Sequence, residues 1–462
     1  MKKTWISGLL MGMAVAATQP LYAQEAPTLD ELINSAIENS HVLADKKLDL
    51  DATALDKKRL QEAYLPHVDL SGKYSFMASA INIKAPANVV PELGIKLPPL
   101  DNSFTNRANL VAGGLNADML LYSGGKVPYL KKAVDAKINA QTALLETDKQ
   151  QIISDVSAAY DQMALLAQVK VVLNESRNRL EANAETADKA LKYGLMTPYE
   201  HQKIDVAQAQ LDAKIQQYEG RRKLLVDLLH YYTGIEPERL ARIEPALVNA
   251  QRASDDASVE NRPEVAALNA GINAYQFQIK AAQSWWKPKV QLKTSLGYLN
   301  AFDMHLKATE PFPTGNTMSL TTNKLELLPN FSVGVGFKWD IFDGKKGKRD
   351  VQAANIDLQR AQNHKKETLE KLELNLAKQN TEYQNAVAEI NVREKQKTAA
   401  QNALNQATKE FKTGLLKASD LIGAETDYQS ATLDYLQAVF NQRRTVVELL
   451  KATGSLTPQS VL

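Results

Sequence analysis

The 462-residue sequence predicts a mainly α fold with a membrane β-barrel portion, in which long helical hairpins are duplicated and each chain supplies four strands. Three observations predict it. The first is repetition: Thr233-Gly234 returns as Thr453-Gly454, Gly194-Leu195 as Gly414-Leu415, and Leu121-Tyr122-x-Gly124 as Ile341-Phe342-x-Gly344, each 220 positions on. Upstream, Tyr64-x-Pro66 returns as Trp286-x-Pro288 and Glu38-Asn39 as Glu260-Asn261, 222 positions on, so a two-residue length change lies between Pro66 and Leu121. The second is length: two runs of about 65 residues keep helical spacing, roughly 100 Å of helix at ~1.5 Å per residue. The third is period: four shorter segments alternate apolar and polar residues, as half-buried strands do.

In chain order, residues 1–23 read as a secretory signal peptide, with Lys2-Lys3 as the positive region, Ile6 to Ala17 as the apolar stretch and Leu21-Tyr22-Ala23 before the cut. That stretch is short of the ~20 apolar residues a spanning helix needs, and no later segment reaches that length. A first repeat spans 24–245 and a second 246–462. Thr28 to Asn39 reads as a helix with Thr28 as N-cap and Glu31 completing a capping-box pattern. Val42 to Tyr64 reads as a second helix, ended by Pro66.

Strands are predicted at about 67–80 and 105–122 in the first repeat, and at about 289–301 and 330–342 in the second. Val68, Leu70, Gly72, Tyr74 and Phe76 alternate with Asp69, Ser71, Lys73 and Ser75, and Val290, Leu292, Thr294, Leu296 and Tyr298 alternate with Gln291, Lys293, Ser295 and Gly297. On the returning strands, Phe331, Val333, Val335, Phe337, Trp339 and Ile341 share one face, matched in the first copy by Val111, Leu115, Met119 and Leu121. Each stripe has about the 9–11 residues that cross a bilayer as a tilted strand. The turn-rich stretches Pro86 to Asp101 and Pro311 to Pro329 read as exposed loops. Tyr64, Tyr122, Trp285, Trp286, Trp339 and Phe342 gather at strand ends, the place of a membrane-interface girdle.

Long helices follow at about 126–191 and 346–411, with return helices at about 198–232 and 419–452. Pro128 is the one proline or glycine between Lys126 and Leu191, and it falls in the first turn, where it is tolerated. Ile152, Val156, Ala159, Met163, Leu166, Val169 and Leu173, then Leu180, Ala184, Ala187 and Leu191, form a coiled-coil-like seam; Leu372, Leu376, Tyr383, Ala386, Ala400, Leu404, Ala407 and Phe411 form its counterpart.

Four strands cannot close in lipid, where each unpaired edge N–H or C=O costs several kcal/mol. Two chains would give 8 strands and three would give 12, and a wet lumen favours the larger barrel. A homotrimer is the expectation.

Composition excludes much else. The net charge of +2 is well mixed, which predicts no nucleic-acid partner, and the chain has no cysteine for disulfides, thiolate metal sites or a nucleophile. The six histidines, His41, His67, His201, His230, His305 and His364, lack metal-ligand spacing. Gly334-Val335-Gly336 lacks the third glycine of a dinucleotide site, and Ser123-Gly124-Gly125-Lys126 lacks the phosphate-loop pattern. No catalytic residues, metal or cofactor are expected, and the chain is not expected to be an enzyme.

The order of these elements, with Leu121-Tyr122-Ser123-Gly124-Gly125 and Ile341-Phe342-Asp343-Gly344 at the strand-to-helix junctions and Gly194-Leu195 and Gly414-Leu415 at the helical turns, resembles the TolC-like outer membrane efflux protein family over essentially all of the mature chain. The resemblance implies a trimeric α-helical barrel continued by a 12-stranded β-barrel in the outer membrane, with a long periplasmic extension. It implies a passive exit duct in a multi-component efflux or type I secretion system. Its partners would be outer-membrane lipid, a periplasmic adaptor (membrane fusion) protein and, through it, an inner-membrane pump of RND or ABC type. The alternative is a periplasmic coiled-coil adaptor or scaffold, against which the four amphipathic strands and their aromatic ends discriminate.

By the same resemblance the two helical turns form the periplasmic tip, and Gly194, Leu195, Gly414 and Leu415 match the adaptor-contacting turns. Gly194 suits the left-handed position that ends a helix, and Thr197, Pro198 and Glu200 restart it as N-cap, first-turn proline and capping-box acid. Ser419-Asp420 is expected to begin the other return helix. Glu200 and Asp420 are equivalent positions, as are Asp205 and Glu425. Acids repeated at the tip of a trimer would form cation-favouring rings around the pore, although first-turn acids also stabilise helices through capping and the macrodipole. Where some family members carry a tyrosine and an arginine that lock the aperture, this chain has Phe411 and Leu416, and apolar closure by Phe411 is the expectation.

Overall fold

The computed structural model describes residues 25–90, 95–97, 99–250, 258–311, 315–317 and 319–461; the expected signal peptide, 1–23, lies outside them. The chain divides into two compact units: one of residues 1–47, 143–266 and 366–462, the other of residues 48–142 and 267–365.

The chain order begins with α1 (Leu29–Asn39), α2 (His41–Glu62), β1 (His67–Ala85), β2 (Asn88–Val90), β3 (Ile95–Leu97) and β4 (Leu100–Tyr122). The first long hairpin follows, α3 (Lys126–Lys192) and α4 (Pro198–Thr233), and then the short α5 (Pro237–Leu240). The second copy runs α6 (Pro263–Ala282), β5 (Lys289–Ala308), β6 (Ser319–Lys338), α7 (Lys346–Lys412) and α8 (Ala418–Ala452).

In the second unit, β1, β4, β5 and β6 form one antiparallel sheet in that order, while β2 and β3 make a separate two-stranded ribbon inside the expected Pro86–Asp101 loop. Leu70, Leu115, Leu296 and Phe331 fall in one register row across all four strands, and all four are exposed. One residue away, Asp69, Asn116, Ser295 and Ser332 form the opposite row. Asn116 donates to Asp69 at 3.1 Å, and the two serine hydroxyls meet at 2.8 Å. So the sheet turns an apolar face outward and keeps its polar bonding on the other face, the reverse of a soluble sheet over a core. Among the described residues β1 and β6 each pair on one side only.

The strands differ in extent from expectation. β1 reaches Ala85, β4 begins at Leu100, and β5 reaches Ala308. β6 occupies 319–338 rather than 330–342, so much of the expected 311–329 loop is strand. Alternating hydrophobicity marks only the part of a hairpin that faces an apolar medium, whereas backbone pairing continues past it. Pro329 is tolerated because it falls within the register shift opposite Gly297–Leu299, where a missing N–H breaks no ladder bond. The ladder ends at Lys289↔Lys338 because Pro288 has no N–H to donate. Trp339, Ile341 and Phe342 therefore lie beyond the strand.

The junction aromatics separate into two groups. Trp286, Trp339, Tyr122 and Phe342 are exposed. Trp339 Nε1 donates to the Trp286 carbonyl at 2.7 Å. Tyr64 and Trp285 turn inward as packing residues. The Tyr64 hydroxyl meets Ser123 Oγ at 2.8 Å, and the Trp285 ring lies over Gly347 with no room for a Cβ.

The first unit is helical. Leu32, Ile33, Val156, Met163, Leu229, Leu240, Ile243 and Leu456 are fully buried in one core that joins α1, α3, α4 and the chain after α8. Thr28 Oγ1 accepts the Glu31 N–H at 3.2 Å, but the Glu31 carboxylate takes Arg239 at 2.9 Å instead of closing a capping box. The repeated dipeptides meet here. Asn39 donates to the Thr233 carbonyl at 2.6 Å and packs on Gly234, while Asn261 and Arg262 pack on Gly454. A Cβ on Gly454 would stand 2.9 Å from the Asn261 carbonyl oxygen, and its φ of +74° excludes most side chains independently.

Candidate functional site

Both helical turns are built the same way. In the first, the Leu195 N–H bonds the Ala190 carbonyl at 2.8 Å and the Gly194 N–H bonds Leu191 at 3.1 Å; in the second, Leu415 bonds Glu410 at 2.9 Å and Gly414 bonds Phe411 at 3.0 Å. This is a Schellman ending, which requires the left-handed residue that Gly194 (φ +70°) and Gly414 (φ +76°) supply. Each closure throws the following leucine outward: Leu195 is 82% exposed and Leu415 80%. Tyr193 and Tyr199 are exposed beside Leu195.

The restarts differ. Thr197 Oγ1 accepts the Glu200 N–H at 3.3 Å and so caps α4. α8 begins at Ala418, not Ser419, and its N-cap position holds Lys417, whose side chain makes no cap bond. Glu200 supplies the missing cap from the other copy. Its carboxylate accepts the Ser419 N–H at 3.2 Å while holding Lys203 at 3.0 Å. The Lys203 bond keeps the Glu200 carboxyl below its ordinary range, with the Ser419 N–H acting in the same direction. The expected capping-box role therefore changes: Glu200 caps α8 rather than closing back on α4. Asp420 stays exposed, with Ser419 Oγ at 3.4 Å.

Two of the expected aperture residues are interior instead. Phe411 packs with Ala187, Ile204, Leu404, Ala407, Ala418, Leu421 and Tyr428, where α3, α4, α7 and α8 come together. Its ring is held by its own chain's core. Glu425 is 4% exposed. Arg179 grips it through Nε at 3.0 Å to Oε2 and Nη2 at 3.0 Å to Oε1, and lies 5.2 Å from the centre of the Tyr428 ring. Asp205, its equivalent in the first copy, is exposed. The difference follows from the partner, since the position equivalent to Arg179 is Ala399.

His201 stands between Asp188, 2.6 Å from Nε2, and Asp205, 3.5 Å from Nδ1. The Asp188 bond, with Asp205 adding to it, raises the imidazole pKa above its ordinary value. Sequence reading passed over this group: the His201–Asp205 spacing is a visible i,i+4 pair, but Asp188 arrives from α3. It also passed over Arg443, which donates to the buried Asp161 at 2.8 Å and to the Val248 carbonyl at 3.1 Å. Beside it, Gln442 takes both backbone groups of Ala250, so the link between the copies is strapped to α8. Among the described residues no acid–histidine cluster could hold a metal ion, and no helix is long and apolar enough to cross a membrane.

Two outcomes follow from these bonds. Arg179→Met leaves the Glu425 carboxylate buried without a partner and should cost about 2–4 kcal/mol, below the full figure for a closed site because Arg179 keeps 30% exposure. Glu425→Gln should cost less, and urea unfolding of the detergent-solubilised protein compares the two. A folded-state pKa raised above the unfolded value stabilises at low pH, and that gain disappears as pH rises through the raised value. Hydrogen exchange at the α3–α4 turn should therefore slow as pH is lowered toward about 6, after correction for intrinsic rates. His201→Gln should abolish the dependence.

The likenesses agree with this geometry. A model of the outer membrane efflux protein family matches residues 32–226 and 256–455. Outer membrane efflux protein BepC of Brucella suis biovar 1 (strain 1330) is 21% identical over 351 residues, covering 74% of this chain and 72% of that protein. Among solved structures, the outer-membrane channel OprN superposes with a TM-score of 0.69 at 17% identity, over 93% of this chain and 90% of that one. VceC from Vibrio cholerae does so with a TM-score of 0.66 at 20% identity, over 92% and 96%. The open-state MtrE channel of Neisseria gonorrhoeae gives a TM-score of 0.66 at 16% identity, over 93% and 91%. With a mostly helical fold of that type and family matches across most of its length, the chain belongs to the outer membrane efflux protein family, the TolC-like exit channels of the outer membrane.

Proposed function

We propose that three copies of the chain assemble into one duct, with a 12-stranded β-barrel in the outer membrane and a trimeric α-barrel reaching into the periplasm. Residues 1–23 serve as the export signal, and the repeats 24–245 and 246–462 supply two strands each. The observation that carries this reading is the apolar row Leu70–Leu115–Leu296–Phe331 on a sheet with two half-paired edge strands. Such a face belongs in hydrocarbon, and hydrocarbon does not tolerate open edges. Joining β1 of one copy to β6 of the next removes every edge.

In this arrangement the duct does no bond chemistry. The exposed turns at Gly194-Leu195 and Gly414-Leu415 dock a periplasmic adaptor, with Tyr193 and Tyr199 enlarging the apolar contact, and an inner-membrane pump of RND or ABC type supplies the energy through that adaptor. Asp420 and Asp205, exposed near the turns, contribute the acids of the aperture. Glu200 acts differently, as the cap that holds the first turn of α8.

Native mass spectrometry of the protein extracted from outer membranes should show a stable trimer; a monomer would overturn the shared barrel. In single-channel recordings under a salt gradient, Asp420→Asn should shift the reversal potential toward weaker cation preference. Glu200→Gln should leave the reversal potential in place and raise the open probability, because it weakens a helix start and not a ring of charge. An unmoved potential in Asp420→Asn removes Asp420 from the pore.

A further inference from the structure

The turn from β6 into α7 carries a feature that its counterpart lacks. Gly344 has φ +70° and Lys345 follows it with φ +68°, a left-handed conformation that side-chain-bearing residues seldom take. At the matching turn the first copy uses two glycines, Gly124 (φ +70°) and Gly125 (φ +86°). The fold accepts glycine at this position, yet the second copy keeps a lysine against the conformational preference. Strain held in place points to a use for the side chain.

Its surroundings say what the use is. Lys345, Lys346, Lys348 and Arg349 are all exposed, and none of the four forms an ion pair among the described residues. Of the nearby acids, Asp343 accepts the Gly347 N–H at 2.6 Å through Oδ2 while its Oδ1 is buried without a hydrogen-bond partner, and Asp340 lies 3.8 Å from Lys338. Asp350 is the exposed acid that follows. The first copy has Gly125, Lys126, Pro128 and Tyr129 at the equivalent positions, so four cations are not a demand of the fold. Immediately before them come Trp339, Ile341 and Phe342, exposed at 51%, 78% and 79%, and before those the exposed Phe331, Val333, Val335 and Phe337 of β6. Along the chain the order is apolar strand, bulky interfacial side chains, then cations. That is the order of hydrocarbon, interface and headgroup through one leaflet.

We infer that the Lys345–Arg349 turn is a headgroup site for anionic phospholipid in the periplasmic leaflet, with the strained Lys345 extending the cluster toward the phosphate. The inference rests on the sheet crossing the membrane. The partner is a lipid rather than a free anion because the cations continue an exposed apolar surface, which a soluble phosphate would not cover.

The test uses the full-length protein reconstituted into nanodiscs of equimolar phosphatidylcholine and phosphatidylglycerol. Native mass spectrometry should find phosphatidylglycerol enriched at least about threefold among retained lipids, and enrichment should fall at high salt. In Lys345→Gly/Lys346→Gln/Lys348→Gln/Arg349→Gln the retained ratio should return to that of the bilayer; an unchanged ratio overturns the site. Lys345→Gly alone should lower the enrichment and leave Tm in neutral detergent equal or higher, since strain is relieved. A lower Tm with unaltered enrichment would make the residue structural and end the inference. Inorganic phosphate displacing the lipid at millimolar concentration would also overturn it. Failure to enter pure phosphatidylcholine bilayers would instead refute the membrane-crossing sheet itself, an outcome separable from loss of selectivity.

Discussion

A strand that faces hydrocarbon has nowhere to place a backbone N–H except on another strand, and β1 and β6 each have one side still to pair. The other features follow from that constraint. Behind the apolar row the polar row bonds internally, from Asn116 to Asp69 and between the Ser295 and Ser332 hydroxyls. The strand ends must then hand the chain to helices without stray N–H groups. Ser123 Oγ accepts the Val127 N–H in one copy and Asp343 the Gly347 N–H in the other. Capping is the means by which the chain leaves the sheet.

The repeat gives the chain two long hairpins and two pairs of long strands, and the structure uses the copies unequally. Glu200 reaches across to cap α8, while Asp420 has no comparable reach. Asp205 shares a histidine with Asp188, whereas Glu425 is buried under Arg179. At the strand-to-helix turns, Gly125 has Lys345 as its counterpart in the second copy. In each pair the backbone position is kept and the partner is new, so symmetry in the sequence predicts geometry better than it predicts chemistry.

This division also explains what the sequence disclosed. Helix ends are written locally: Thr197-Pro198 starts α4, and Gly194 and Gly414 stop helices, because caps and left-handed closures involve residues within a few positions of each other. The exposed apolar face of the sheet was legible for the same reason, as period-two alternation. Strand length was not, since pairing outlasts the apolar stripe. The burial of Phe411 and Glu425 was not legible either. Glu425 depends on Arg179, 246 positions away, and Phe411 on the meeting of four helices. An acid in the first turns of a helix reads the same from sequence whether its partner is water, a lysine or the N-terminus of another helix. No local pattern marked that α8 lacked its own cap until Lys417 was placed.

The contact between Asn39 and Gly234 has a counterpart between Asn261 and Gly454. In the first copy the opening helix ends against that copy's own last turn, and in the second the turn at Asn261-Arg262 lies against the last turn at Gly454. Each repeat is therefore clasped where its entrance meets its exit. A side chain at Gly454, 2.9 Å from the Asn261 carbonyl oxygen, would push on both ends of the second repeat at once.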